Sequence, residues 1–261
     1  MRILKNIFMP NKISVIIPVF NSEKYLERTF ISILNQSYQV DEVLIINDGS
    51  KDNSKKIIFN WKKKLPIIYF ENANNMGVPF SLRKGIALCK GDIVFRIDSD
   101  DEWKENHVEN ILLLMEKKKK AVLFASRACY KFPEDGRFQI SKIISNKNIR
   151  KNLMWDNPIV HSSVAFRKED YFKTCGYMSY KCAHDYSLFI ELLNIGQLSF
   201  SDKITVNYYL SENSLSRKNS KECLKERFMN QWRALFLYSS QNKLFSLQVF
   251  PILLIRTLLS R

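Results

Sequence analysis

An α/β fold built around a parallel sheet is what this 261-residue sequence predicts, and three observations predict it. Short β-branched runs alternate four times with helix-like segments within the first hundred residues, as repeated strand–helix units do. The runs are almost continuously apolar, as strands covered on both faces are. Polar residues gather where each run ends, and ligands of open α/β sheets bind beyond the carboxyl ends of the strands.

ISVIIPVF at 13–20 is the first strand, ended by Asn21. Ser22 is placed to cap a helix whose apolar face carries Leu26, Phe30, Ile33 and Leu34. VLIIN at 43–47 is the second strand, closed by Asp48-Gly49-Ser50; Asp52 and Ser54 open a second helix running to Trp61. PIIYF at 66–70, a helix at 79–89 and DIVFRID at 92–98 complete the alternation. Beyond Trp103 the regularity weakens. A helix is predicted over 105–119, a strand at AVLFASRACY, and a β-excursion over 129–145 around Pro133 to Gly136. An alternating strand follows at 159–167, then a helix at 184–195, an extended stretch at 198–210, and helix from Asn219 onward.

Composition narrows the function classes. Apolar residues are 46% and charged residues 26%, which excludes wholesale disorder. The length fits one large domain or two packed ones. Five scattered cysteines with no CxxC make a weak case for disulfides and fit a reducing compartment. No signal-like apolar stretch opens the chain and no apolar run reaches spanning length, so the expected location is cytoplasmic. The net charge of +15 invites nucleic acid, an anionic membrane or an anionic substrate. Lys62 to Lys64 and Lys117 to Lys120 fall at expected helix ends, where the dipole favours cations, and read as solvated caps.

The chemistry concentrates in Asp98-Ser99-Asp100-Asp101. Carboxylates this dense repel one another unless a cation is shared. Alternate residues of an extended chain share a face, so Asp98 and Asp100 can address one centre. Hard oxygen ligands suit Mg²⁺ or Mn²⁺. No GxGxxG follows the first strand and no GxxxxGK[ST] occurs, so neither dinucleotide nor P-loop binding is expected.

Four segments in order, SVIIPVFN at 14–21, LNQSYQVDEVLIINDGSKDNS at 34–54, NNMGVPFSLRKGI at 74–86 and KGDIVFRIDSDDEW at 90–103, make the chain resemble an inverting family 2 glycosyltransferase of the GT-A fold. The likeness continues less tightly through 157–168, 176–193 and 208–216. It implies an α/β nucleotide-binding sheet over 1–103, an acceptor and catalytic-base half over 104–216, and a helical tail over 217–261. It further implies that Pro18 and Phe20 line the nucleotide pocket, that Asp48 accepts the uracil N–H, and that Arg83 stands near the nucleotide. Asp98 would face the ribose and Asp100 would hold the metal, with Asp101 its rival. Asn21 and Ser99, at the same strand ends, are candidates for the same pocket.

Inversion needs a base on the acceptor side. The family carries it in a Glu-Asp pair opening a helix; here the pair is His184-Asp185, so Asp185 matches the base and His184 departs from the pattern. A bystander role outside the site is the expectation for His184. His161 is a candidate to face acceptor or donor sugar, and a satisfied structural histidine is the competing reading. His107 is expected at the surface. The tail carries nine basic and two acidic residues among aromatic and aliphatic ones, with Pro251 set to kink it. Membrane contact is the favoured reading and packing on the domain or a dimer partner the alternative.

The expected activity is transfer of a sugar, with inversion, from a nucleoside diphosphate, UDP foremost, to a glycan or polyprenyl-linked acceptor in cell-surface polysaccharide synthesis. Two rivals stand beside it. A nucleotidyltransferase would need a basic triphosphate loop where PVFNSE stands. A non-catalytic membrane- or nucleic-acid-binding protein would ignore UDP-sugars, and the basic runs lack the interleaved aromatics of a stacking platform.

Overall fold

The computed structural model describes residues 12–145, 147–210 and 221–239. The first four strands are β1 (Ile13–Val19), β2 (Glu42–Asn47), β3 (Ile67–Glu71) and β4 (Ile93–Arg96). β1 pairs in parallel with β2 and with β4, and β2 pairs in parallel with β3. The register aligns Val19 with Asn47 and Asn47 with Glu71, so the polar strand ends lie along one edge.

Alternation along these strands feeds two cores. Val15, Ile17, Val43 and Ile45 pack with Leu26, Phe30 and Ile33 of α1 (Leu26–Leu34) and with Ile58 of α2 (Ser54–Trp61). Ile16, Leu44 and Val94 face the other way, toward Leu82 and Ile86 of α3 (Val78–Leu88). Each such fully buried aliphatic side chain contributes roughly 1.5–3 kcal/mol, and helices therefore cover both faces. Ser22 does not cap α1 with its side chain. Its carbonyl accepts from the amides of Tyr25 and Leu26, and regular helix begins only at Leu26.

The second half departs from the all-parallel expectation. β5 (Glu102–Trp103) and α4 (His107–Lys117) precede the long strand β6 (Ala121–Lys131), which pairs antiparallel with β7 (Phe138–Ile140) across a turn with Gly136 at φ 70. After α5 (Ile149–Leu153), strand β8 (Ala165–Arg167) runs antiparallel between β4 and β6. Then come α6 (Lys168–Phe172), α7 (His184–Ile195) and β9 (Gln197–Tyr209), the last parallel to β6 and antiparallel to β5. The sheet order is β3-β2-β1-β4-β8-β6-β9-β5, with β7 on β6.

Three expectations are corrected here. The strand predicted over 159–167 is strand only at its end, because His161–Ser163 coil into a 3-10 turn. His107 is fully buried, stacked on Trp103 at 4.6 Å with Nδ1 2.7 Å from Thr205 Oγ1, and burial lowers its pKa to about 3. Cys182 and Cys223 form a disulfide, since the fold brings together residues 41 apart in sequence.

The described part of the tail is α8 (Lys221–Ser239). It buries Cys223, Ala234, Leu235 and Tyr238 against the domain, so this stretch packs on protein, the reading that sequence ranked second to membrane contact. Pro251 and the apolar run that follows α8 lie outside the described residues, as does the N-terminal segment. Among the described residues no helix is long and apolar enough to cross a membrane.

Candidate active site

The carboxyl edge of β1, β2 and β4 opens into a cleft of about 380 Å³ that α7 closes from the opposite side. Its walls include Pro18, Phe20, Asn21, Asp48, Asp98, Ser99, Asp100, His161, His184 and Asp185, so all but one of the sequence-predicted site residues meet in one cavity. Asn21 takes φ 49, a left-handed turn that Asn tolerates, and its Oδ1 accepts from the amide of Lys51. Phe20 leaves its ring 45% exposed at the rim.

Arg83 is the exception. Its guanidinium donates to the Tyr177 carbonyl at 2.8 Å and lines an adjoining hollow that shares Phe20, Asp48 and Val78 with the main cleft. Asp48 is nearly buried and already well supplied with donors. Oδ1 accepts from Asn72 Nδ2 at 2.7 Å and the Met76 amide at 2.9 Å, and Oδ2 accepts from the Gly77 amide at 2.8 Å. It thereby pins the 75–77 loop beside the cleft. Gly49, in the same turn, has φ 75 and lies so close to the Asn74 backbone that a Cβ would stand 3.1 Å from it.

The carboxylates after β4 are held unequally. Arg96, fully buried, forks onto both oxygens of Asp98 and reaches Ser162 Oγ at 3.3 Å. Burial opposes the Arg96 charge, but Asp98 and its neighbours outweigh it and the guanidinium stays protonated. Asp101 is fully buried beside the cavity, accepting from Ser162 Oγ and from the Tyr209 amide at 2.9 Å. Asp100 faces the cleft. Burial first, then the Asp98 charge, pushes its carboxyl up to about 6. Burial first, then the charges of Asp100 and Asp98, push Asp101 up as well.

Ligand atoms of Asp98, Asp100 and Asp101 lie within 4.8 Å of one another. Their repulsion, only partly balanced by Arg96, with oxygen-only donors, fits a hard divalent cation. Asp100 is the member of the set that both lines the cavity and has its carboxylate uncommitted to a guanidinium.

Across the cleft, Asp185 sits in the first turn of α7 with Oδ2 accepting from Asn157 Nδ2 at 2.9 Å. Burial raises its pKa to about 6. Its neighbour His184 is not outside the site as expected. It is buried on the cleft wall, its ring 5.5 Å from that of His161, because the helix start turns it inward. His161 pairs through Nε2 with Tyr177 Oη at 2.8 Å. Burial, with Arg96 beside them, holds both imidazoles neutral, His184 near 3. A second cleft of about 260 Å³ shares His161, Cys182, Asp185 and Tyr208 with the first and is walled by Tyr130 and Tyr186. Asp185 therefore stands where the two clefts meet.

Sequence reasoning missed Arg96, Asn157, Ser162 and Tyr177. Arg96 had a signal: it is a charged residue inside a buried strand, two positions before Asp98 and hence on its face. The others become neighbours only through tertiary folding.

This sheet with an acidic turn closing β4 is the GT-A fold. The family profile for glycosyl transferase family 2 matches residues 14–176, and the chain belongs to that family. A curated relative, the amylovoran biosynthesis glycosyltransferase AmsE of Erwinia amylovora, is 28% identical over 70% of this chain and 70% of its own length. The UDP-Gal:alpha-D-GlcNAc-diphosphoundecaprenol beta-1,3-galactosyltransferase of Escherichia coli is 31% identical over 71% of this chain and 69% of its own. Among solved structures, S. aureus TarS 1–349 in complex with UDP superposes with TM-score 0.68 at 18% identity, covering 86% of this chain and 65% of that one. The same protein with UDP-GlcNAc gives TM-score 0.69 at 16% identity, covering 88% and 71%. The chain thus spans slightly less than two thirds of the UDP-bound TarS chain.

Proposed function

We propose that this glycosyltransferase moves a hexose-type sugar from UDP to a saccharide or polyprenyl-linked acceptor, with inversion, in cell-surface polysaccharide synthesis. The observation that carries the reading is the placing of the Asp185 carboxylate at the junction of two clefts, one of them walled by the β4 carboxylates. The larger cleft takes the donor and the smaller takes the acceptor. Residues 12–103 form the donor half and residues 104–210 the acceptor half. The E. coli relative, a UDP-Gal:alpha-D-GlcNAc-diphosphoundecaprenol galactosyltransferase, and TarS with UDP bound support UDP as the nucleotide, and the former a diphosphoundecaprenol-linked acceptor. Any contact with an anionic membrane falls to the chain beyond α8.

In this reading Pro18, Phe20, Asn21 and Asp48 frame the nucleoside, with Arg83 beside them, while Asp98 and Ser99 border the ribose. Asp100 would hold Mn²⁺ or Mg²⁺, which supplies neutralising charge to the diphosphate. Asp185 accepts the proton of the acceptor hydroxyl as that oxygen bonds to the anomeric carbon. The bond from that carbon to the diphosphate oxygen breaks, and UDP departs with the bonding pair. Asn157 holds one oxygen of Asp185, leaving the other for the hydroxyl. Neutral His161 and His184 offer hydrogen bonds to the sugar without adding charge.

Calorimetric binding of UDP with and without Mn²⁺ tests the donor site. Metal-dependent binding that Asp100→Ala removes is the expected result. Equal binding in the variant, or no binding of UDP by the native chain, overturns it.

A further inference from the structure

Helix α8 turns a buried polar edge toward the segment that leads into α7. Glu226 is 8% exposed, and its carboxylate accepts from two successive amides, Oε1 from Lys181 and Oε2 from Cys182, each at 2.8 Å. One turn later, fully buried Asn230 donates Nδ2 to the Ala183 carbonyl at 2.8 Å. One turn earlier, Cys223 is joined to Cys182. Positions 223, 226 and 230 share one helix face. Their partners are the three residues immediately before His184 and Asp185.

Burying a carboxylate is costly unless strong donors meet it, and here two charge-assisted bonds do. An apolar side chain at 226 would pack at less cost, but it would not direct the two amides. Glu226 and Asn230 line neither cleft, so the nucleotide has no direct dependence on them. The backbone they grip bounds both clefts through Cys182 and sets the start of α7.

We propose that Glu226 is a positioning residue for sugar transfer: it fixes the 181–182 backbone and so the place where the Asp185 carboxylate stands. The proposal rests on Asp185 being the base.

The test compares Glu226→Ala and Glu226→Gln in the full chain. Three quantities are measured: turnover at saturating donor with the UDP-sugar that the native chain converts fastest to UDP, UDP affinity with Mn²⁺, and hydrogen exchange at the Lys181 and Cys182 amides. Alanine is expected to speed exchange at those amides and lower turnover about 10- to 100-fold, the effect of a small misplacement of a reacting group. UDP affinity should stay within about twofold, because the donor half is untouched. Glutamine keeps one acceptor oxygen and should restore part of the turnover. Faster exchange with unchanged turnover overturns the positioning role. So does a matching loss of turnover, UDP affinity and exchange protection across the sheet, which would mark a general stabiliser. A native chain that turns over no UDP-sugar overturns the proposed function and with it the positioning role, while exchange at the two amides still reports whether Glu226 clamps the segment.

Discussion

Asp98, Asp100 and Asp185 face one cleft, yet the two halves of the molecule hold them by different means. In the parallel half each functional carboxylate sits where a buried strand ends, and the registered strands β1, β2 and β4 deliver it there. In the second half Asp185 is fixed from a distance, by Asn157 28 residues before it and through the segment that Glu226, 44 or 45 residues on, holds in place. The charge is also managed differently. Burial is the main influence on both Asp100 and Asp185 and raises each to about 6; what differs is contact with a counter-charge, which the β4 cluster has in the buried Arg96 forked onto Asp98. Affinity for the nucleotide and competence for transfer should therefore separate under mutation.

The sharpest way to break that separation is Asp185→Ala. Turnover should fall about 10²- to 10⁴-fold, the range for loss of a general base, while Mn²⁺-dependent UDP binding persists in calorimetry. A parallel loss of binding would show that the halves do not act independently. Next in size is Arg96→Met, which strands Asp98 beside Asp100 and Asp101. Asp98 keeps 29% of its side chain exposed, so removing its buried partner should cost less than a fully buried pair would, about 1–3 kcal/mol in denaturant unfolding. Arg96→Lys should recover only part of this, because it cannot fork onto both oxygens. A stability equal to that of the native chain would mean the cluster needs no internal counter-charge.

A smaller effect lies in the pH profile. As the proposed base, Asp185 must be ionised to take a proton, so turnover at saturating donor should fall about tenfold per pH unit below about 6. An acid limb centred near 4 would mean that burial does not control Asp185. The smallest effect is on stability. The folded pKa of Asp185 lies above its ordinary value, so the unfolded chain ionises first as pH rises. Native stability then falls between about 4 and 6, and the penalty is complete above 6. Asp185→Asn should remove it, raising stability at pH 7 by about 1–2 kcal/mol, discounted for the partial exposure of the site. The gain should vanish below pH 4. A variant less stable than the native chain at pH 7 would show that the carboxylate stabilises the α7 start by more than its burial costs.

The sequence by itself determined the parallel half. Apolar β-branched runs can only be buried on both faces, and their ends then place Asp48, Asp98 and Asp100 on one edge. That Asp185 lines the cleft was anticipated through its likeness to a family motif, not through any local physical signal. The tertiary structure alone decided the rest. β8 enters antiparallel between β4 and β6, bringing the 161–163 turn under the cluster, and three residues with no shared pattern, Arg96, Ser162 and Tyr177, become neighbours. His107 and His184 turn inward because a histidine's periodicity does not say whether a fold will cover it. α8 buries Glu226 and Asn230, polar residues that an amphipathic reading assigns to solvent. Such contacts depend on where distant segments meet, and hydrophobic periodicity reports only which face of a segment is turned away from water.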